Sequence, residues 1–319
     1  MTLLPEILTI YILNFLFFIF ASLSFVLTLQ ILKGWKVEET TSLQYSLEKR
    51  SYLSSTIIKY MFYIKLPLFI FFVFTLDKLS FILPGAMCGA GVVDSNEYAS
   101  ILFFLKVLNL YLFAYWIVLD SEDMKEETQP YLKKKFTIFA GLFVLLVSEI
   151  ILETLTFSSI DVESVVDCCG AIFSHSDDTY LSRALNLPLE LLLTLFYTNF
   201  FLLVLSAFFK RKLFFAFLNL AFFIMSLLSL VAFFGTYVYE LPTHHCPFCL
   251  LQVEYNYVGY LLYALLFLGT FNGLIVAFIE FKDEELKRRV VLSLVFNFIY
   301  LVIVTLYPAL YYMDNGVWM

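Results

Sequence analysis

The sequence predicts an all-α polytopic membrane protein with eight transmembrane helices and both termini on the extracytoplasmic side. Three observations carry that reading. The composition is 61% hydrophobic, 19% aromatic and only 15% charged, with a mean hydropathy of +0.88, whereas soluble domains are roughly 25% charged. The charges sit in short clusters between apolar runs of about 20 residues, the length that crosses a bilayer. Of the 20 Lys and Arg, 16 fall in alternate connections, which places those connections in the cytoplasm.

The spans are expected near 7–32, 57–76, 100–119, 136–156, 187–209, 213–238, 256–281 and 290–312. The first reads as a retained helix and not a secretory signal, because it lacks a basic leader and its first basic residues, Lys33 and Lys36, follow it. The basic set comprises Lys33, Lys36, Lys49, Arg50 and Lys59, then Lys125, Lys133, Lys134 and Lys135, then Lys210, Arg211 and Lys212, then Lys282, Lys287, Arg288 and Arg289. Only Lys78 and Arg183 lie in the opposite connections. The net charge of −7 says less than this placement. The first cytoplasmic loop, about 34–56, reads as a solvated linker, with a short surface helix as the alternative.

The loop Pro84-Gly-Ala-Met-Cys-Gly-Ala-Gly-Val-Val-Asp-Ser-Asn-Glu-Tyr98 resembles a later one, Pro242-Thr-His-His-Cys-Pro-Phe-Cys-Leu-Leu-Gln-Val-Glu-Tyr255. Pro84 aligns with Pro242, Cys88 with Cys246, Gly91 with Cys249 and Met87 with His245. Each loop follows the second span of a four-span half. The reading is therefore two parallel four-helix repeats about an axis along the membrane normal. Residues 1–156 form the first half with the Cys88 loop, 157–186 an extracytoplasmic connection, and 187–319 the second half.

Lys106 and Glu149 lie at equal depth in spans three and four, so an ion pair is expected, with Glu153 nearer the surface. A structural clamp is weighed against the lining of a polar path. Lys65, beside Pro67 in the second span, is expected to face a partner or a cavity.

All three His and all five Cys fall on the extracytoplasmic side. The connection 157–186 carries Cys168-Cys169 and then His175; vicinal thiols suit a soft metal or different cysteine partners better than each other. The segment His244-His245-Cys246-Pro247-Phe248-Cys249 packs two imidazoles and a Cys-x-x-Cys into six residues, and the following span's N-terminus is expected to favour the thiolates. Haem is excluded, since no His lies in a span and no Cys-x-x-Cys-His occurs. So is a nucleotide, in the absence of a phosphate-binding glycine loop. No nucleic acid is expected as a partner.

Two functions follow. In the first, Cys88, Cys168, Cys169, His175, His244, His245, Cys246 and Cys249 gather into a site for Cu(I) or Zn(II), which the protein binds and hands on; Met87 could add a thioether for copper. A secreted metal chaperone or a membrane transporter subunit would be the partner. In the second, Cys246 and Cys249 are catalytic, exchanging electrons with a secreted thiol protein, with Cys168 or Cys169 as the shuttle and membrane quinone as terminal acceptor. That second arrangement resembles the vitamin K epoxide reductase and DsbB membrane oxidoreductases, which place a Cys-x-x-Cys at the outer end of a helix and a second cysteine pair in a loop. The chain departs from them in having eight spans instead of a four-helix core, an adjacent second pair, and a motif that opens the third span of its half. A third reading, inert disulfides, is the ordinary fate of cysteines in an oxidising compartment. The setting expected for all three is a bacterial inner (cytoplasmic) membrane, with lipid around the spans and the Cys/His loops on its outer side.

Overall fold

A computed structural model describes residues 4–35, 41–126, 128–161, 166, 188–209 and 211–319. Among these residues all regular structure is helical, and eight helices are long and apolar enough to span a membrane. They are α1 (Pro5–Gly34), α2 (Ser42–Ser80), α4 (Glu97–Asp123), α5 (Leu132–Ser159), α6 (Leu189–Ser206), α7 (Lys212–Tyr239), α8 (Val258–Ile275) and α9 (Asp283–Asn315); a short α3 (Gly89–Asp94) precedes α4. Hydrocarbon offers backbone groups no hydrogen bonds, so apolar runs of this length must bond internally, and the helix does so. The ends carry the expected signals. Pro5 opens α1, the side chains of Thr41 and Asn96 accept from Gln44 N (3.2 Å) and Ala99 N (2.9 Å), and Gly316 closes α9 at φ +72°.

One element differs from expectation. The stretch read as a linker is helical from Ser42, continuous with the second span. Its Leu47 is buried with Ile31 of α1 and lies against Gly34, where no Cβ stands in the way. Tertiary packing thus outweighs the charged Glu48, Lys49 and Arg50, which sit on the same turns.

The chain divides into two compact units. Unit 1 is Met1–Pro84 with Val92–Ser164; unit 2 is Gly85–Gly91 with Val165–Met319. In unit 1, α1 packs on α2 and α5, and α4 packs on the same two helices, closing a four-helix ring. On α4, Lys106, Asn109, Phe113, Trp116, Asp120 and Asp123 recur every three or four residues and are all buried, so they form one inward face. The middle of that face is aromatic: Phe113 stacks on Phe62 at 4.3 Å, and Trp116 meets the same ring edge-on at 5.5 Å.

Both ends of the face are ionic. At one, Lys135 Nζ lies 2.9 Å from Asp120 and 2.8 Å from Asp123, with Lys59 3.4 Å from Asp120. At the other, Lys106 Nζ is 2.9 Å from both Glu149 Oε1 and Glu153 Oε1, and Lys65 Nζ is 3.1 Å from Glu149 Oε1. The expected pairing of Lys106 with the two glutamates is present, and Lys65 and Asn14 belong to the same network.

In unit 2, α6 packs on α7, α7 on α8 and α8 on α9. Gly269 and Gly273 let α8 approach its neighbours, for a Cβ at either would collide with the side chain of Asn297 or Asn219. Those amides are spent across helices: Asn219 Oδ1 accepts from Ser293 Oγ at 2.8 Å and Asn297 Nδ2 at 3.1 Å. Near its end α7 widens into a π-turn, Leu230–Phe234, before closing at Tyr239.

Candidate functional site: a buried three-cysteine cluster

The site lies within unit 2, where two loops meet. The first is residues 85–91. Gly85 takes φ +88°, a turn conformation that a side chain would resist, and Gly91 N donates to Cys88 O at 3.1 Å. The second loop leaves α7 through Glu240 in the left-handed region. It carries Cys246-Pro247-Phe248-Cys249, then two 3₁₀ turns, Cys249–Leu251 and Val253–Tyr255. Asn256 and Tyr257, both at positive φ, lead into α8. The cysteine motif therefore does not open the helix. α8 begins at Val258, and the buried Leu250 and Leu251 belong to the first of the two 3₁₀ turns that separate the motif from the helix. Gly259 makes room for the first of these turns, since a Cβ there would stand 2.9 Å from Leu250.

Backbone oxygens of this loop are held by side chains from the bundle. Tyr239 Oη donates to Cys246 O, and Tyr263 Oη donates to Pro247 O at 2.8 Å. Gln252 Nε2 donates to Met87 O at 2.9 Å, tying the two loops together. His245 Nδ1 lies 3.0 Å from Val231 O, inside the π-turn. A carbonyl only accepts, so that nitrogen carries the proton. The His244 ring meets Tyr239 edge-on at 4.6 Å, and Tyr255 packs on the same phenol at 4.7 Å. Burial, followed by the nearby Cys249 and Glu254, pushes the Tyr255 phenol above its ordinary value.

Within this frame the sulfurs of Cys88, Cys246 and Cys249 all lie within 4.8 Å of one another. The Cys88 and Cys246 sulfurs are 3.4 Å apart. The three residues are 0%, 1% and 4% exposed, and they share a core cluster with Phe196, Phe234, Leu250, Leu262 and Leu266. A metal with sulfur bonds of about 2.3 Å in tetrahedral geometry holds its thiolates about 3.8 Å apart. With one pair at 3.4 Å and none beyond 4.8 Å, the cluster is close enough to hold one metal ion or to work as a thiol site.

Among the described residues the cluster is made of cysteines alone. Of the other proposed ligands, His245 is oriented by the π-turn and His244 by Tyr239, and neither belongs to the three-sulfur group. Met87 is 69% exposed and contributes its carbonyl to the loop contact. Cys168, Cys169 and His175 lie outside the described residues. Lys106, Glu149 and Glu153 belong to unit 1 and form the network described above.

Sequence reasoning did not single out Asn14, Asp120, Asp123, Tyr239 or Tyr263. A signal existed for Asn14, an amide within the apolar run of the first span. The two phenols were indistinguishable from the other tyrosines of a chain that holds 21.

Fold and site together define a polytopic helical membrane protein with a buried cysteine triad. Comparison with protein-family models, curated proteins and solved structures finds no match to this chain.

Proposed function

We propose that this chain is an integral membrane protein that binds one soft metal ion, Cu(I) or Zn(II), through Cys88, Cys246 and Cys249 on its extracytoplasmic side and hands it to a partner. The observation that carries the reading is the meeting of three buried sulfurs from two loops 158 residues apart in sequence. Thiolates select soft metals, and an all-sulfur set favours Cu(I) and Zn(II) over harder ions. Binding would displace the thiol protons, and a partner presenting its own thiolates would take the ion by ligand exchange. Side assignment rests on the alternation of basic connections. Two units with four spans each support the reading of an internal repeat.

The test is metal content. Protein purified without oxygen should carry about one Cu or Zn per chain, and Cys88→Ser, Cys246→Ser and Cys249→Ser should each lose most of it. Wild-type protein that stays metal-free after exposure to both ions under reducing conditions would overturn the proposal.

The 3.4 Å contact favours a second reading. Cys88 and Cys246 would pass two electrons to an external protein disulfide or to quinone, forming one intramolecular disulfide as the acceptor gains two electrons and two protons. Cys249 would then attack Cys246, exchanging that bond for a Cys246–Cys249 disulfide and freeing the Cys88 thiol, and a secreted dithiol protein would return two electrons and two protons to open it. Trapping of a mixed disulfide by Cys249→Ser in metal-free protein would support it.

A further inference from the structure

The ionic network of unit 1 contains a small cavity that the cysteine chemistry does not use. It is lined by Lys65, Lys106, Asn109 and Glu149, with Leu68, Phe69, Leu110 and Phe113 as its apolar wall, and its volume is ≈ 10 Å³. Lys65, Leu68 and Phe69 flank Pro67, which lies inside α2. Proline has no N–H to give the preceding turn and crowds it, a physical reason for imperfect packing beside it.

Asn109 is 1% exposed and donates from Nδ2 to Glu149 Oε2 at 2.6 Å, yet its Oδ1 is buried without a hydrogen-bond partner. A buried amide oxygen left unbonded costs roughly 1–3 kcal/mol. Donors stand nearby. Lys65 Nζ bonds Asn14 Oδ1 (3.2 Å) and Glu149 Oε1 (3.1 Å), and Lys106 Nζ bonds Glu149 and Glu153 (2.9 Å each). Each ammonium has three N–H groups, so each can give one more.

We propose that this cavity binds a single water molecule, which donates to Asn109 Oδ1 and accepts from Lys65 or Lys106. Size sets the class, because the volume stands at the threshold for one water and leaves no room for a larger ligand. Charge narrows it further. Two ammoniums and two carboxylates already cancel in the network, so an added cation or anion would be an uncompensated charge away from water, while a neutral molecule with both donors and acceptors completes the bonding. The ligand that meets the two conditions is water, placed inside the four-helix bundle of unit 1 as a structural member of the ion network.

The test uses the full chain in lipid nanodiscs. A map that resolves ordered water should show one peak at hydrogen-bonding distance from Asn109 Oδ1, and Asn109→Leu should lose it. With protein labelled by [¹⁵N]Asn, the Asn109 side-chain NH₂ should give a direct nuclear Overhauser cross-peak to water; this measurement decides the matter even if the variant fails to fold. A wild-type map without that peak, a peak that persists unchanged in Asn109→Leu, or an NH₂ group with no water cross-peak would each overturn the proposal.

Discussion

Replacing Lys106 by Met is the sharpest probe of how unit 1 is held together. The ammonium lies 2.9 Å from carboxylate oxygens of both Glu149 and Glu153, with side chains only 5%, 3% and 1% exposed. Removing it turns a balanced set of two positive and two negative groups into one positive and two negative. Glu149 keeps Lys65 at 3.1 Å and Glu153 keeps the Asn14 amide at 2.7 Å, so one carboxylate is left buried with no cation. Breaking a buried pair from one side costs about 3–5 kcal/mol, and the same loss is expected for Glu153→Gln. The double variant Lys106→Met/Glu153→Gln restores a one-to-one balance through Lys65 and Glu149, so it should be more stable than the sum of the singles by about 2–3 kcal/mol. Unfolding titrations in mixed detergent micelles, arranged as a double-mutant cycle, measure this. Single losses that add to within about 0.5 kcal/mol would refute the claim that these charges hold one another.

Two glycine substitutions test the packing of unit 2. In Gly235→Ala, the new Cβ would stand 2.8 Å from Leu230 O. That strains the π-turn whose Val231 O meets His245, and a loss of roughly 1–3 kcal/mol is expected, read as a lowered midpoint of thermal unfolding. Gly273→Ala would drive a methyl into the Asn219 amide and disrupt its bonds to Ser293 and Asn297, again costing at least about 1–3 kcal/mol. Gly141→Ala, with nothing within 4 Å of its Cβ, should be neutral or slightly stabilising, and the contrast between the last two separates close approach from general sensitivity.

Most of the fold was legible because a bilayer imposes one simple rule on every span, a long apolar run. The pairing of Lys106 with Glu149 could also be read, since depth in a helix follows from counting residues. What could not be read depends on neighbours that are remote in sequence. Ser42 to Arg50 carries helix formers and charges in a mixture that a linker also shows, and it is Leu47, settled against Gly34 and Ile31, that decides for helix. Lys135 was counted as one of a cytoplasmic basic group, although it is 1% exposed and bound by Asp120 and Asp123; a charge near a span end looks solvated until its partners are known. At the site, the pattern His-His-Cys-x-x-Cys gave both imidazoles equal standing with the thiols. The difference between them arises from Val231 O, displaced by a π-turn that no local signal in α7 announces.

The bonds that shape the cysteine loops bear on how the triad should be interpreted. The carbonyls of Cys246, Pro247, Met87 and Val231 are met by Tyr239, Tyr263, Gln252 and His245 respectively. Each of these contacts ends on a backbone oxygen, and none requires a sulfur. If the cysteines served only to fasten the loops, such a set of independent clamps would be redundant, and its loss would be compensated by disulfides. With the clamps in place, the loop conformation is specified before any sulfur chemistry occurs, which is the preorganisation that a binding centre needs. Serine at Cys88, Cys246 or Cys249 keeps the side chain small and leaves every clamp intact. Loss of bound metal from those variants would then report on ligation and not on collapse of the loops, whereas a tyrosine-to-phenylalanine change at 239 or 263 alters the frame while sparing all three sulfurs. The two kinds of variant separate the geometry of the centre from its chemistry.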